Sequence, residues 1–164
     1  MKKYILIFLF AGLLSSCGNS EEKKSNPAVS IGTKSTSEKP KETPKKAQTA
    51  DDMIDMSNKG VGKITSITLG ELDPALAAKG EEVFKANCTA CHKADRKFIG
   101  PAMKGVVDRR APEWIMNMIL DPELMVKEDP IARQLLIDHN GSPMANQGIS
   151  EEDSRALLEY FRTL

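Results

Sequence analysis

Apolar positions recur at helical spacing only in the second half of the chain. In the first half, a single apolar run at residues 4–14 is followed by a long polar stretch with isolated aliphatic residues. Aromatic residues follow the same division, since none occurs between Phe10 and Phe84. No strand-rich region or internal repeat competes with the helical pattern further along. The pattern predicts an all-α domain over residues 71–164, preceded by a segment that does not build a core.

Two aspartate–proline pairs predict the starts of two helices in this domain. Asp73 precedes Pro74 and Asp129 precedes Pro130. Aspartate caps the free N–H groups of a first helical turn, and proline is favoured at the first helical position. The first helix is expected to run to residue 87. The second is expected to continue through residue 136, and Gly141 would close it.

Two further helices follow from apolar spacing and capping. One is expected from residue 112 to 120, ending before Asp121 and Pro122. The last is expected to start after Ser150, because Ser150 with Asp153 three residues later resembles a capping box. Apolar residues then continue at helical spacing to Leu164. The domain is therefore expected to contain about four helices.

The segment before the domain has the composition of a disordered tether. Residues 18–52 are mostly Lys, Glu, Ser, Thr and Pro, and such a stretch buries too little apolar surface to offset its ordering entropy. Residues 61–69 alternate between apolar and polar, which fits either a short strand or an extended arm lying on the domain. The sequence leaves both open, and residues 17–70 are assigned to a flexible linker.

The N-terminus has the pattern of a bacterial export signal. Lys2 and Lys3 precede the apolar run, which is too short to cross a bilayer comfortably. The run ends in Leu-Ser-Ser-Cys, which resembles the lipobox of bacterial lipoproteins, with Cys17 as the acylated residue. The alternative is an ordinary cleaved signal. The prediction is a signal peptide over residues 1–16 and a lipid-anchored, extracytoplasmic protein.

The other two cysteines form a motif for covalent haem attachment. Cys88, Cys91 and His92 stand in the pattern Cys-x-x-Cys-His, in which each thiol forms a thioether with a haem vinyl group and the histidine ligates the iron. A thioredoxin-like redox pair would call for a βαβ setting, which this strand-poor domain lacks. A zinc site would want four ligands, yet the only other histidine is His139. The motif predicts one haem c.

With this motif, the chain resembles the small mono-haem class I cytochromes c. In those proteins a glycine and an aromatic residue four positions later precede the haem motif, as Gly80 and Phe84 do here. A terminal helix crosses that first helix through a leucine and a tyrosine, matched by Leu157 and Tyr160. The resemblance implies a small cytochrome c fold around one covalent haem, with close helix contact at Gly80.

The resemblance also implies roles for two residues after the haem motif. Pro101 occupies the place of a proline whose carbonyl accepts a hydrogen bond from the ligand histidine, which would orient His92. Trp114 resembles a tryptophan that lies along the haem edge near a propionate; the alternative is an ordinary core aromatic.

Met144 is the predicted second axial ligand. It follows Pro143 in an irregular loop between the last two helices, where the family places its ligand methionine. Met116 and Met118 lie in a predicted helix, where methionine is usually core filling. His139 is the main rival, because imidazole is also a haem ligand.

These assignments predict an electron carrier rather than an enzyme. Ligation by His92 and Met144 would leave no open position for a substrate and would favour the ferrous state. The expected partners are a quinol-oxidising donor complex and a terminal oxidase or reductase such as nitrous oxide reductase. The alternatives are a haem sensor or peroxidase-like protein with an open distal site, and a fixed redox subunit of a larger reductase.

Charge gives a further expectation about docking. The formal net charge is zero, so nothing global suggests nucleic acid as a partner. Between Lys85 and Arg110, however, seven basic residues face two acidic ones. We expect these residues to form a basic rim around the haem edge that attracts the redox partner.

Overall fold

The computed structural model describes residues 49–164, and this part of the chain contains six helices. They are α1 (Pro74–Asn87), α2 (Val106–Arg109), α3 (Pro112–Leu120), α4 (Pro122–Glu128), α5 (Pro130–Asp138) and α6 (Glu151–Phe161). The all-α prediction is confirmed, and α1, α3, α5 and α6 are the four expected helices. Within residues 49–164, none of these helices combines the length and apolar character needed to cross a bilayer. The predicted signal peptide, Cys17 and residues 18–48 of the linker lie outside the described residues.

Helix α4 was not predicted, because Asp121 and Pro122 were interpreted only as the end of α3. Asp121 ends α3 and also caps α4, its side chain accepting from the N–H of Leu124 at 3.0 Å. Asp129 repeats this arrangement between α4 and α5. An aspartate–proline pair thus marks the start of a helix at all three positions. Asp121 and Pro122 carry the same capping signal as the two pairs that were recognised.

Helices α1 and α6 cross in close contact at Gly80, as the sequence predicts. A side chain at this position would begin 2.0 Å from the carbonyl oxygen of Ala156, which is closer than any two such atoms can lie. Next to the crossing, the ring of Phe84 packs on Tyr160 and Phe161, with centroids 5.5 and 5.9 Å apart. Glycine is therefore required here by the approach of the partner backbone.

A buried carboxylate fixes the start of α1 against α6. Glu159 is fully buried and accepts from the backbone N–H of Asp73 at 2.9 Å. Burial alone would raise the pKa of Glu159, but hydrogen bonds from Asp73, Arg155 and Arg162 hold it below its usual value. The carboxylate is therefore ionised when it joins the two helices.

Residues 49–69, here called the N-terminal arm, lie along the helices without regular secondary structure, with turns at residues 49–52 and at Gly60. No residue of the arm belongs to a strand; its one β-bridge joins Asp55 to Arg110. Side chains of α3 form hydrogen bonds with the backbone of the arm. Asn117 accepts from the N–H of Ile64 at 3.0 Å and donates to the Ile64 carbonyl at 2.9 Å. Glu113 accepts from the N–H of Ile67. Of the two possibilities for residues 61–69, the structure therefore shows the extended arm.

The arm also moves the start of the folded unit upstream of the predicted boundary at residue 71. Ala50 and Ile64 are buried, and Ile64 belongs to the same core as α1, α3 and α6. Polar side chains hold both residues: Asn117 pairs with the backbone of Ile64, and Asp138 and Arg110 pair with the backbone of Ala50. Counting apolar residues along the sequence does not detect such contacts. Residues 49–70 are thus part of the domain rather than of a linker.

Candidate functional site

The three residues of the haem motif lie where α1 ends. Cys88 caps the helix C-terminus, and the backbone N–H groups of Cys91 and His92 both donate to the Cys88 carbonyl, at 3.1 and 2.9 Å. This tight turn brings all three side chains to the wall of one cleft. The turn that closes α1 therefore lets residues at this spacing face the same cleft.

The loop that follows holds the His92 ring in one orientation. Nδ1 lies 3.0 Å from the carbonyl oxygen of Pro101, as expected from the resemblance. Gly100 leaves room for the ring, because a side chain there would begin 2.5 Å from Cε1. Burial lowers the pKa of His92, opposed by the Pro101 bond and supported by the charge of His139. A neutral ring that donates from Nδ1 presents a lone pair at Nε2, the form that ligates a metal.

The cysteine pair does not have the character of a thiol–disulfide redox centre. Both thiols are free, and burial raises the pKa of Cys88 to about 11, with a smaller contribution from Cys91. Redox and metal-binding cysteines act as thiolates, which need a lowered pKa. Nor do three His, Cys, Asp or Glu side chains gather anywhere within residues 49–164 to hold a metal ion. A thioether to a neutral, apolar group suits this environment better than either alternative.

The cleft has the lining that a haem requires. Cofactor sites in proteins are mostly apolar. Apolar side chains from all six helices form the walls, among them Phe84, Val106, Ile115, Val126, Leu135 and Leu157. An apolar cleft with two thiols and an oriented imidazole on its wall fits covalent haem.

Met144 and His139 both reach this cleft, but only one of them has a free ligating atom. Met144 follows Pro143 in the loop between α5 and α6, as predicted, and is half-buried. His139 ends α5 with both ring nitrogens engaged: Nδ1 lies 2.9 Å from the Ile99 carbonyl oxygen and Nε2 lies 3.0 Å from Asp51. Its partner Asp51 was missed, because 88 positions separate the two and no sequence pattern links them.

Trp114 lines the cleft but does not depend on a haem propionate for a hydrogen-bond partner. Its indole N–H donates to Asp129 at 3.1 Å, and the ring is almost fully buried. Asp129 thus caps α5 and satisfies Trp114 with one carboxylate. Trp114 is thus a buried aromatic on the cleft wall, and its position near a haem propionate stays a prediction.

The basic rim is smaller than the sequence suggested. Arg110 is only 3 % exposed, and its guanidinium donates to the carbonyls of Ala50, Met53 and Arg109. Lys85, Arg96 and Lys97 form ion pairs with neighbouring carboxylates, but their side chains stay at least half exposed. We therefore define the rim as the residues other than Arg110: Lys85, Lys93, Arg96, Lys97, Lys104 and Arg109.

Comparisons with known proteins agree with this geometry. The family model described as "Cytochrome c" matches residues 77–164. A cytochrome c from Rhodothermus marinus superposes with a TM-score of 0.60 at 45 % identity, covering 62 % of this chain and 88 % of that one. Cytochrome c-551 of Stutzerimonas stutzeri is 32 % identical over 57 % of this chain and 84 % of its own length.

A third comparison is more local. Cytochrome c2 of Rhodopseudomonas palustris is 60 % identical over 35 residues, 21 % of this chain, and the match spans only 30 % of that relative. The family model covers more than half of the chain and ends at its last residue. Together with the cleft, the motif and the oriented His92, these matches show that the chain belongs to the cytochrome c family and carries covalently bound haem c.

Proposed function

We propose that this protein is an extracytoplasmic electron carrier, held to a membrane by a lipid on Cys17, whose haem is ligated by His92 and Met144. The observation that carries the proposal is the pairing of His139. Since both nitrogens of that ring face protein acceptors, a methionine is the ligand that remains. Of the methionines on the cleft wall, Met103 is buried in the core and Met118 belongs to α3, whereas Met144 lies in the irregular loop. A histidine–methionine ligand pair gives a closed site of high reduction potential.

On this proposal, the chain's own residues bind and tune the haem. The haem supplies one-electron redox chemistry when bound. Cys88 and Cys91 hold it covalently, while Pro101 keeps the proton of His92 on Nδ1 and so leaves Nε2 free for the iron. The apolar walls exclude water and favour the state of lower charge, which is the ferrous one. The protein is thus a carrier rather than an enzyme.

The second candidate function is a haem sensor or peroxidase-like protein. This function would require Met144 to leave the iron. The loop that carries Met144 is the one feature that favours such an open site. Residues 140–150 contain no helix or strand, and the left-handed backbone at Asn140, Gly141 and Gly148 marks sharp turns. Carbon monoxide binding by the ferrous protein separates a labile ligand from a fixed one.

Lipid anchoring predicts that Cys17→Ser releases the protein from the membrane. Each buried CH₂ of an acyl chain contributes about 0.8 kcal/mol, so two or three chains hold a protein effectively permanently. The variant should appear in the soluble fraction after export, with the same haem content per protein as the parent. Retention of Cys17→Ser in the membrane fraction would show that something other than the lipid holds the protein there.

We further propose that the partners dock at the rim, with a quinol-oxidising complex as donor and a terminal oxidase or reductase, such as nitrous oxide reductase, as acceptor. Phe98 and Ile99 are half exposed in the middle of the rim, and Lys93 lies 4.9 Å above the Phe98 ring. Ile99 also lines the haem cleft. An apolar centre surrounded by positive charge suits brief docking to an acidic surface.

Docking at the rim predicts that electron transfer to the acceptor slows as salt rises. The Debye length falls from about 30 to about 8 Å between about 0.01 and 0.15 M salt, which weakens attraction between exposed charges. Lys104→Gln should lower the second-order rate and flatten its salt dependence. Lys127→Gln removes an exposed charge outside the rim and is the matched control. Equal effects of the two substitutions would rule out docking at the rim.

A further inference from the structure

The contact between Asp51 and His139 joins the N-terminal arm to the haem cleft. His139 is 4 % exposed, and both residues line the cleft. Nε2 lies 3.0 and 3.2 Å from the two carboxylate oxygens of Asp51, while Nδ1 lies 2.9 Å from the Ile99 carbonyl. The ring is therefore held between two oxygens that belong to different segments of the chain.

The groups that face the two ring nitrogens of His139 determine how many protons the pair must hold. A carbonyl oxygen only accepts, an ionised carboxylate only accepts, and a neutral imidazole carries a single N–H. Both hydrogen bonds of His139 form only when the pair holds one additional proton. We infer that Asp51 and His139 form a buried binding site for one proton, and that the oxidation state of the haem controls how tightly this proton is held.

Charged groups of both signs surround the pair. Lys97 lies 3.6 Å from Asp51, and the positive charge of Arg110 also acts on Asp51. Both positive groups thus lie on the carboxylate side of the pair. The carboxylate of Asp138 accepts from the Ala50 N–H at 2.8 Å and from Gln134, and the charge of His139 also acts on it. The remaining charged neighbours are Asp52, which is exposed, and His92, whose ring senses the charge of His139.

Linkage between the proton and the electron follows from this placement, and rests on the proposed electron-transfer role. Oxidation leaves one more positive charge in the cleft, which repels the proton on the nearby pair. When the haem passes an electron to its partner protein, the pair releases part of one proton to solvent; on reduction it takes the same amount back. Coupling is reciprocal, so losing the proton favours the ferric state. The midpoint potential should therefore fall as pH rises through the titration of the pair.

The test is the midpoint potential of the full-length, haem-loaded protein between about pH 5 and 9, the range around the titration of histidine. The parent should show a fall over this range. His139→Gln and Asp51→Asn should each reduce that fall several-fold, whereas Asp52→Asn should follow the parent because its carboxylate is exposed. A flat parent curve, or an undiminished fall in His139→Gln, would overturn the inference and assign any proton to another group, such as a haem propionate.

A measurement on the parent protein covers the case in which a variant does not fold. Nitrogen-15 NMR of the His139 ring should show both nitrogens protonated at low pH, and the ring should lose its proton at a lower pH in the ferric than in the ferrous state. A ring with the same titration in both states contradicts the inference. Whether or not the proton is linked to the electron, an intact haem spectrum remains consistent with the proposed function. Absence of a reversible haem couple would contradict the proposed function itself.

Discussion

Met144→Ala is expected to convert a closed electron carrier into an open haem protein. Loss of the thioether should give the ferric protein high-spin character and let the ferrous protein bind carbon monoxide, which the parent should resist. The midpoint potential should fall on the order of 0.1 V, a modest part of the roughly 0.8 V range that axial ligands set. Absorption spectra of both oxidation states, with and without carbon monoxide, measure these changes.

His139→Gln is the comparison that gives this result its meaning. His139 lies on the same cleft wall five positions before Met144, but its nitrogens are paired with Ile99 and Asp51. Its replacement should leave the spectra and the exclusion of carbon monoxide unchanged. If His139→Gln opened the site and Met144→Ala did not, the ligand pair would be two histidines, with a much lower potential and a different place in respiration.

Gly80→Ala is expected to destabilise the domain by about 1–3 kcal/mol, the usual cost of overpacking a tight contact. The added carbon would begin 2.0 Å from the carbonyl oxygen of Ala156, and this neighbour is backbone that cannot rotate away. The loss should appear even though alanine is the better helix former by about 1 kcal/mol. The free energy of unfolding of the haem-loaded protein, from denaturant titration, measures the effect.

Gly70→Ala provides the matched control for that substitution. A side chain at Gly70 meets no atom within 4 Å, so the free energy of unfolding should change little. Similar stabilities for the two variants would mean that α1 and α6 do not approach each other as closely as described.

Local signals in the sequence were sufficient for the elements that surround the haem. Asp73 and Asp129 accept from helix N–H groups as capping residues should, and Ser150 accepts from Asp153. The cysteine motif and Gly80 were also found, because their chemistry depends on fixed spacing along the chain. In these places the residue type alone requires the structure that is observed.

Pairings between distant segments could not be predicted in the same way. Asn117 and Glu113 of the mostly apolar helix α3 bind the arm. Asp129 accepts a hydrogen bond from the indole N–H of Trp114. Arg110 was placed in the basic rim on charge alone, yet carbonyl oxygens of the arm surround it. Each pairing joins a polar group to a partner whose position depends on the completed fold, and sequence spacing carries no record of it.

X-ray absorption at the iron edge of the ferric parent tests the central claim most directly, because it counts the atoms around the metal. The proposed ligation predicts one sulfur neighbour together with nitrogen neighbours, and loss of the sulfur in Met144→Ala while His139→Gln retains it. A first shell of nitrogen alone in the parent would contradict ligation by Met144, and with it the account of this protein as a high-potential carrier.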